Sequence, residues 1–183
     1  MGTISFTIGA CYAASSSRRF HRRCGRCKWR YRKRHTAKPA FISAKQLDEV
    51  SFAQVMHINA APPALLLAAL KPSLQGKHAT IIASLSARVG SITDNGYGGW
   101  CWYSYRASKA AHNMLLRTAA IELKRLNKQS IVLCLQKPFQ ARVPTEKLFS
   151  AEFVVKQLID VMAKRSQETT GSFWDCAGEP IDW

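Results

Sequence analysis

Residues 100–124 read WCWYSYRASKAAHNMLLRTAAIELK. The Ala/Leu-rich run that follows Tyr105 has the period of a long helix, and on a helix Tyr105 and Lys109, four apart, share one face. A free phenol, with a pKa of about 10, is a poor proton donor at neutral pH. A neighbouring ammonium favours the phenolate, which would draw the Tyr105 pKa toward the range of a general acid/base. The same spacing also describes an ordinary surface pair on an amphipathic helix, so the flanking sequence has to decide between the two.

Upstream, Ala79-Thr80-Ile81-Ile82-Ala83-Ser84-Leu85 is a continuous apolar run bounded by turn signals, as expected of a parallel strand buried on both faces. It leads into Ser86 and then Ala87-Arg88-Val89-Gly90-Ser91-Ile92. His57-Ile58-Asn59-Ala60 lies further upstream. In this order the motifs resemble the short-chain dehydrogenase/reductase family, whose signature YxASK is matched here by YRASKAA. The wording SLSARVGSI, DNGYGGW and YSYRASKAA is most similar to the C-factor-like and sniffer-like carbonyl reductase branch. The resemblance runs from about residue 43 to residue 183.

The resemblance implies an α/β fold, a Rossmann-like doubly wound parallel sheet with strands in the order 3-2-1-4-5-6-7. Only the catalytic half, equivalent to strands 5–7, is identifiable, so the strand before Ser86 is expected to lose its inner neighbour and leave an open edge. The implied chemistry is hydride transfer between NAD or NADP, with NADP favoured by the branch, and a small-molecule carbonyl or alcohol. Carried over, Tyr105 protonates the carbonyl oxygen, Lys109 lowers the Tyr105 pKa and holds the nicotinamide ribose, Ser86 orients the substrate and Asn59 supports the proton relay. Tyr105, Lys109 and Asn59 are also the expected coenzyme contacts. Ser84 and Ser91 rival Ser86, because the Ser-to-Gly spacing is one residue longer than the common pattern. A homodimer through the helix beginning at Tyr105 and a cytoplasmic location are further expectations. The competing reading is a non-catalytic family remnant or interaction protein.

That competitor gains weight from the N-terminal side. The formal net charge is +16, yet none of the 11 Asp/Glu precedes Asp48, while eleven Lys/Arg fall between Arg18 and Lys38. The basic excess thus belongs to one segment, and the chain divides into residues 1–40, basic and either poorly ordered or a targeting segment, and a truncated dehydrogenase-like domain over 41–183. Four readings of the arm stay open: mitochondrial or plastid targeting; nucleic-acid binding by Arg/Lys interleaved with Phe20, Trp29 and Tyr31; a zinc set from His21, Cys24, Cys27 and His35; and a segment substituted for sequence the family needs. The last is favoured, with targeting second; no metal, nucleic-acid or membrane partner is expected. No apolar run reaches the roughly 20 residues needed to span a bilayer. Six cysteines at irregular spacing suit a reducing compartment. A strand over Ile4–Ile8 is possible, followed by Gly9, but Gly2, Gly9 and Gly25 make no glycine-rich pyrophosphate loop.

Working outward, residues 43–70 read as a helix capped by Ser43, with Leu47, Val50, Phe52, Val55, Met56 and Ile58 as its apolar face and a kink at Pro62-Pro63. Trp100, Cys101 and Trp102 look like an insertion beside the tyrosine. The helix from Tyr105 runs to about Asn127, with Ala107, Ala110, Ala111, Met114, Leu115, Thr118 and Ala119 as a face for a neighbouring helix. Residues 130–135 form the next buried strand. Gln136-Lys137-Pro138-Phe139 runs on where the family has a Pro-Gly-Thr segment, which looks deleted. A helix over 151–164, with Phe153, Val154, Leu158, Ile159 and Met162 inward, and a last strand near Phe173 complete the chain.

Overall fold

The computed structural model describes residues 4–8 (as backbone), 47–95, 102–138 and 148–183. The basic arm, its candidate zinc residues, Ser43, the insertion residues Trp100 and Cys101, and the loop after Pro138 lie outside the described residues. Strands and helices alternate: β1 (Ile4–Ile8), α1 (Glu49–Leu74), β2 (Thr80–Ser86), α2 (Tyr103–Leu126), β3 (Ser130–Gln136), α3 (Ala151–Ala163) and β4 (Ser172–Asp175). The four described strands form one parallel sheet in the order β1-β2-β3-β4.

The sequence of β3, SIVLCLQ, explains the layering. A strand turns successive side chains to opposite faces, and β3 is apolar on both. Val132 and Cys134 join Ile82, Leu67, Leu74, Leu116, Ala120, Leu123 and Phe173 in a core beneath α1 and α2. Ile131, Leu133 and Leu135 join Ala83, Leu158, Val161 and Met162 beneath α3. Each fully buried Leu, Ile or Phe contributes about 1.5–3 kcal/mol by leaving water, so both faces of the sheet must be covered. This is the doubly wound half-fold expected from residues 79–183.

The edge of β2 is not open. Ile4 to Ile8 pair in parallel with Thr80 to Ser84, so β1 fills the place of the missing inner neighbour. A short β-rich run suffices, because parallel pairing is specified by backbone groups that must find partners.

Helix α1 departs from its expected form. It begins at Glu49, where Asp48 Oδ1 accepts the Ser51 N–H at 2.9 Å, and it continues through Pro62 and Pro63 to Leu74. Its buried residues are Val55, Asn59, Ala60, Pro63, Leu67 and Leu74, whereas Leu47, Val50 and Phe52 stand exposed. By length and composition alone α1 is apolar enough to cross a membrane, which the count of apolar runs did not anticipate; here it lies against α2. Asn127, just past the end of α2, fastens the two helices by donating through Nδ2 to the Leu74 and His78 carbonyls at 3.1 and 2.9 Å. In α3 the inward residues are Leu158, Val161 and Met162, while Phe153 and Ile159 are exposed.

Candidate active site

The expected site residues converge on one place, the carboxyl end of β2 under the first two turns of α2. Ser86 is the last residue of β2. Tyr105 and Lys109 follow the start of α2, and Asn59 reaches the same region from α1. Trp102, at the N-cap, sets its ring edge-on to Tyr105 with centroids 6.3 Å apart.

Lys109 is buried, and its Nζ donates to the Leu85 carbonyl at 3.3 Å. The ammonium stands 6.0 Å from the Tyr105 ring centroid. Burial lowers the Lys109 pKa to about 8, and the charge of Lys137 presses the same way. Tyr105 does not follow the sequence expectation: burial raises its pKa above the ordinary tyrosine value. Desolvation of the phenolate outweighs a cation that is itself occupied by a backbone carbonyl.

The approach of β2 to α2 depends on Gly90, in the 3-10 turn after the strand. A Cβ there would stand 2.7 Å from Lys109 Cβ and 2.8 Å from the Lys109 carbonyl carbon. Asn113 spans the same gap. Its Nδ2 donates to the Gly90 carbonyl at 3.3 Å, which fixes the amide orientation, and its Oδ1 accepts from the Ser86 hydroxyl. The Ser86 proton is therefore committed to Asn113. Of the rival serines, Ser84 points under α2 and meets His112 Nε2 at 3.1 Å, and Ser91 Oγ accepts the Asp94 N–H at 3.0 Å.

Asn59 is held at both ends. Its side-chain Nδ2 donates to Ser108 Oγ at 3.0 Å, and Ser108 in turn donates to the Tyr105 carbonyl at 2.8 Å. Its own backbone carbonyl lies 3.1 Å from His112 Nδ1. Ser108, His112 and Asn113 were not among the residues singled out from sequence. The signal was present: Ser104, Ser108 and His112 recur every four residues on the buried side of α2, where an apolar stripe is the rule.

Arg88 organises the rim. Its guanidinium reaches Asp94 at 3.1 Å, Asp175 at 3.4 Å and the Gln136 side chain at 3.4 Å, and so joins the carboxyl ends of β2, β3 and β4. Ligands of open parallel sheets bind at this end.

Tyr105 and Lys109 fit the nicotinamide-ribose end of a dinucleotide: a phenol and an ammonium on one face, above the strand ends. Among the described residues no glycine-rich strand-to-helix turn is present for the pyrophosphate, and Gly9 lies outside them.

No family model matches the chain. It is 28% identical over 140 residues to the C-signal protein of Myxococcus xanthus, covering 75% of this chain and 81% of that one. Among solved structures it superposes on the carbonyl reductase Sniffer of D. melanogaster with a TM-score of 0.66 and 19% identity, covering 78% of this chain and 61% of that chain. An NADPH-bound carbonyl reductase from chicken fatty liver gives a TM-score of 0.65 and 21% identity, covering 82% and 64%. The chain thus spans under two thirds of the length of these solved relatives, and the likeness to them establishes the fold. With the YRASK motif, the serine-bearing strand before it and a parallel sheet, these likenesses support a resemblance to the short-chain dehydrogenase/reductase family, in its C-factor-like and sniffer-like branch.

Proposed function

We propose that the protein is an NAD(P)-dependent oxidoreductase acting on a small carbonyl or alcohol, with NADP the favoured coenzyme. The observation that carries this reading is the placement of Tyr105 and Lys109 on one face of α2, with Ser86 at the end of the adjoining strand. When bound, a nicotinamide coenzyme supplies the hydride. Tyr105 gives its phenolic proton to the carbonyl oxygen. Lys109 leaves the Leu85 carbonyl to hold a ribose hydroxyl, and there its charge lowers the Tyr105 pKa. Ser86 bonds the same substrate oxygen after exchanging its bond to Asn113. Asn59, through Ser108, steadies the turn that carries Tyr105. Exposed Met114, Leu115 and Ile121 on α2 support a homodimer through this helix.

A second reading, a non-catalytic family remnant, is favoured by the same side chains: Lys109 is engaged by Leu85 and Ser86 by Asn113. Titration with NADPH and NADH, followed by nicotinamide fluorescence, separates the two. Saturable binding that weakens in Lys109→Ala, with reductase turnover lost in Tyr105→Phe, is the enzyme's result. A folded sample that binds neither coenzyme at millimolar concentration makes the chain a remnant.

A further inference from the structure

Helix α1 contains a flaw that another element repairs. In an α-helix the N–H of residue i bonds the carbonyl of residue i−4. The donor for the Asn59 carbonyl would be residue 63, which is a proline and has no N–H. Asn59 is 3% exposed, so water is a poor substitute, and an unsatisfied buried acceptor is costly. His112 Nδ1 lies 3.1 Å from this oxygen.

The chemistry fixes the protonation of the ring. A carbonyl only accepts, so Nδ1 must carry the hydrogen. His112 is 1% exposed, and burial, reinforced by Lys109, lowers its pKa to about 4. The ring is neutral at pH 7, which leaves Nε2 as an acceptor for the Ser84 hydroxyl at 3.1 Å. One imidazole thus bridges α2, where it resides, to β2 through Ser84 and to α1 through Asn59.

We infer that His112 is a positioning residue: as the Nδ1–H tautomer it supplies the donor that Pro63 removes from the Asn59 carbonyl, and so fixes α1 against the turn that carries Tyr105 and Lys109. Ser108, one turn earlier on α2, receives the Asn59 side chain, so two residues of one helix face hold both polar ends of Asn59. A leucine at position 112 would fill the space and leave the oxygen bare. The clamp itself stands on geometry; its bearing on coenzyme binding rests on the reductase reading.

The test is a double-mutant cycle in the full chain: natural sequence, His112→Leu, Pro63→Ala and the pair, each unfolded in urea. Pro63→Ala restores a backbone N–H one turn beyond Asn59. His112→Leu should lower the folded-to-unfolded ratio by about ten- to a hundredfold with Pro63 in place, as a stranded buried acceptor does. In the Pro63→Ala background the loss should be smaller by at least about fivefold, since contacting residues couple. Equal losses in both backgrounds overturn the proposal. Ring 15N–1H spectra of the natural chain give an answer that needs no variant to fold: a neutral Nδ1–H tautomer is expected, and Nε2–H overturns it. For the positioning role, His112→Asn keeps an amide N–H near the Nδ1 position and should retain coenzyme affinity. His112→Gln places its amide near Nε2 and should weaken affinity about tenfold, the scale of one lost hydrogen bond; the reverse order contradicts the role. If the natural chain binds no coenzyme, the reductase reading falls, while the cycle and the tautomer still decide the clamp.

Discussion

Lys109 Nζ donates to the carbonyl oxygen of Leu85 at 3.3 Å, across the junction of α2 and β2. The contact puts an ammonium in a site that is 4% exposed, where burial opposes its charge. The Lys109 pKa falls from the usual 10.5 to about 8. Between these values the unfolded chain holds a proton that the folded chain has released. Stability therefore rises with pH across that window, and the burial penalty is fully present below pH 8. The contribution is about 3 kcal/mol, at roughly 1.4 kcal/mol per unit. Urea unfolding at pH 7.5 and 9.5 should show the natural chain gaining on Lys109→Met; parallel pH profiles would remove the buried ammonium from the account.

His112 works in the same direction at lower pH. Its folded pKa of about 4 lies below the ordinary 6.5, because burial and the nearby Lys109 disfavour imidazolium. The unfolded chain gains a proton first, so stability is lost as pH falls from 6.5 toward 4. The expected loss is about 3 kcal/mol. His112→Asn should flatten this part of the acid-unfolding curve; an unchanged slope would assign it to other groups.

Gly90→Ala tests the close approach of the turn to α2. The new Cβ meets Lys109 Cβ at 2.7 Å and the Lys109 carbonyl carbon at 2.8 Å, and neither is the free end of a flexible side chain. Forced separation should cost about 1–3 kcal/mol, read as a lower thermal midpoint. A neutral substitution would mean that the turn yields without strain.

Leu133→Ala probes the sheet itself. Leu133 is fully buried in the centre of β3 beneath α3. The loss of its side chain should cost about 2–5 kcal/mol, since the surrounding strands and α3 collapse only partly into the space. Chemical denaturation measures it directly.

The two described cysteines should differ in reactivity. Cys134 is 1% exposed and its thiol pKa is pushed up to about 12 by burial, whereas Cys176 is part-exposed. Thiolate is the reacting species. Peptide-resolved maleimide labelling should modify Cys176 in the native protein and Cys134 only after unfolding.

The α/β architecture was legible in residues 79–135 because a strand buried on both faces and a long helix leave strong, distinct patterns. The place of β1 was not, since five residues carry no mark of which strand edge they will join. The face of α1 was misjudged for a related reason: a helix rich in apolar residues all round does not announce which side turns inward, and exposed Val50 looks no different in sequence from buried Val55. The placement of Tyr105 and Lys109 on one face of α2 could be read from their spacing. The downward shift expected for Tyr105 failed because spacing gives proximity but not solvent exclusion. His112 and Asn113 were hidden because their partners, the Asn59 carbonyl and Gly90, lie 53 and 23 residues away.

The strands stand in the sheet in the order in which they occur in the chain. Among the described residues, no strand has to be inserted between two that are already paired. During synthesis at about 5–20 residues per second, each strand that leaves the ribosome can dock on the one made before it, and the growing sheet never has to reopen. Among the described strands the β1–β2 pairing is the slow one: β1 must wait for β2, some 70 residues later, whereas β3 and β4 each find a finished edge. Of the described strands, β1 thus stays longest open to competing partners while the chain is being made.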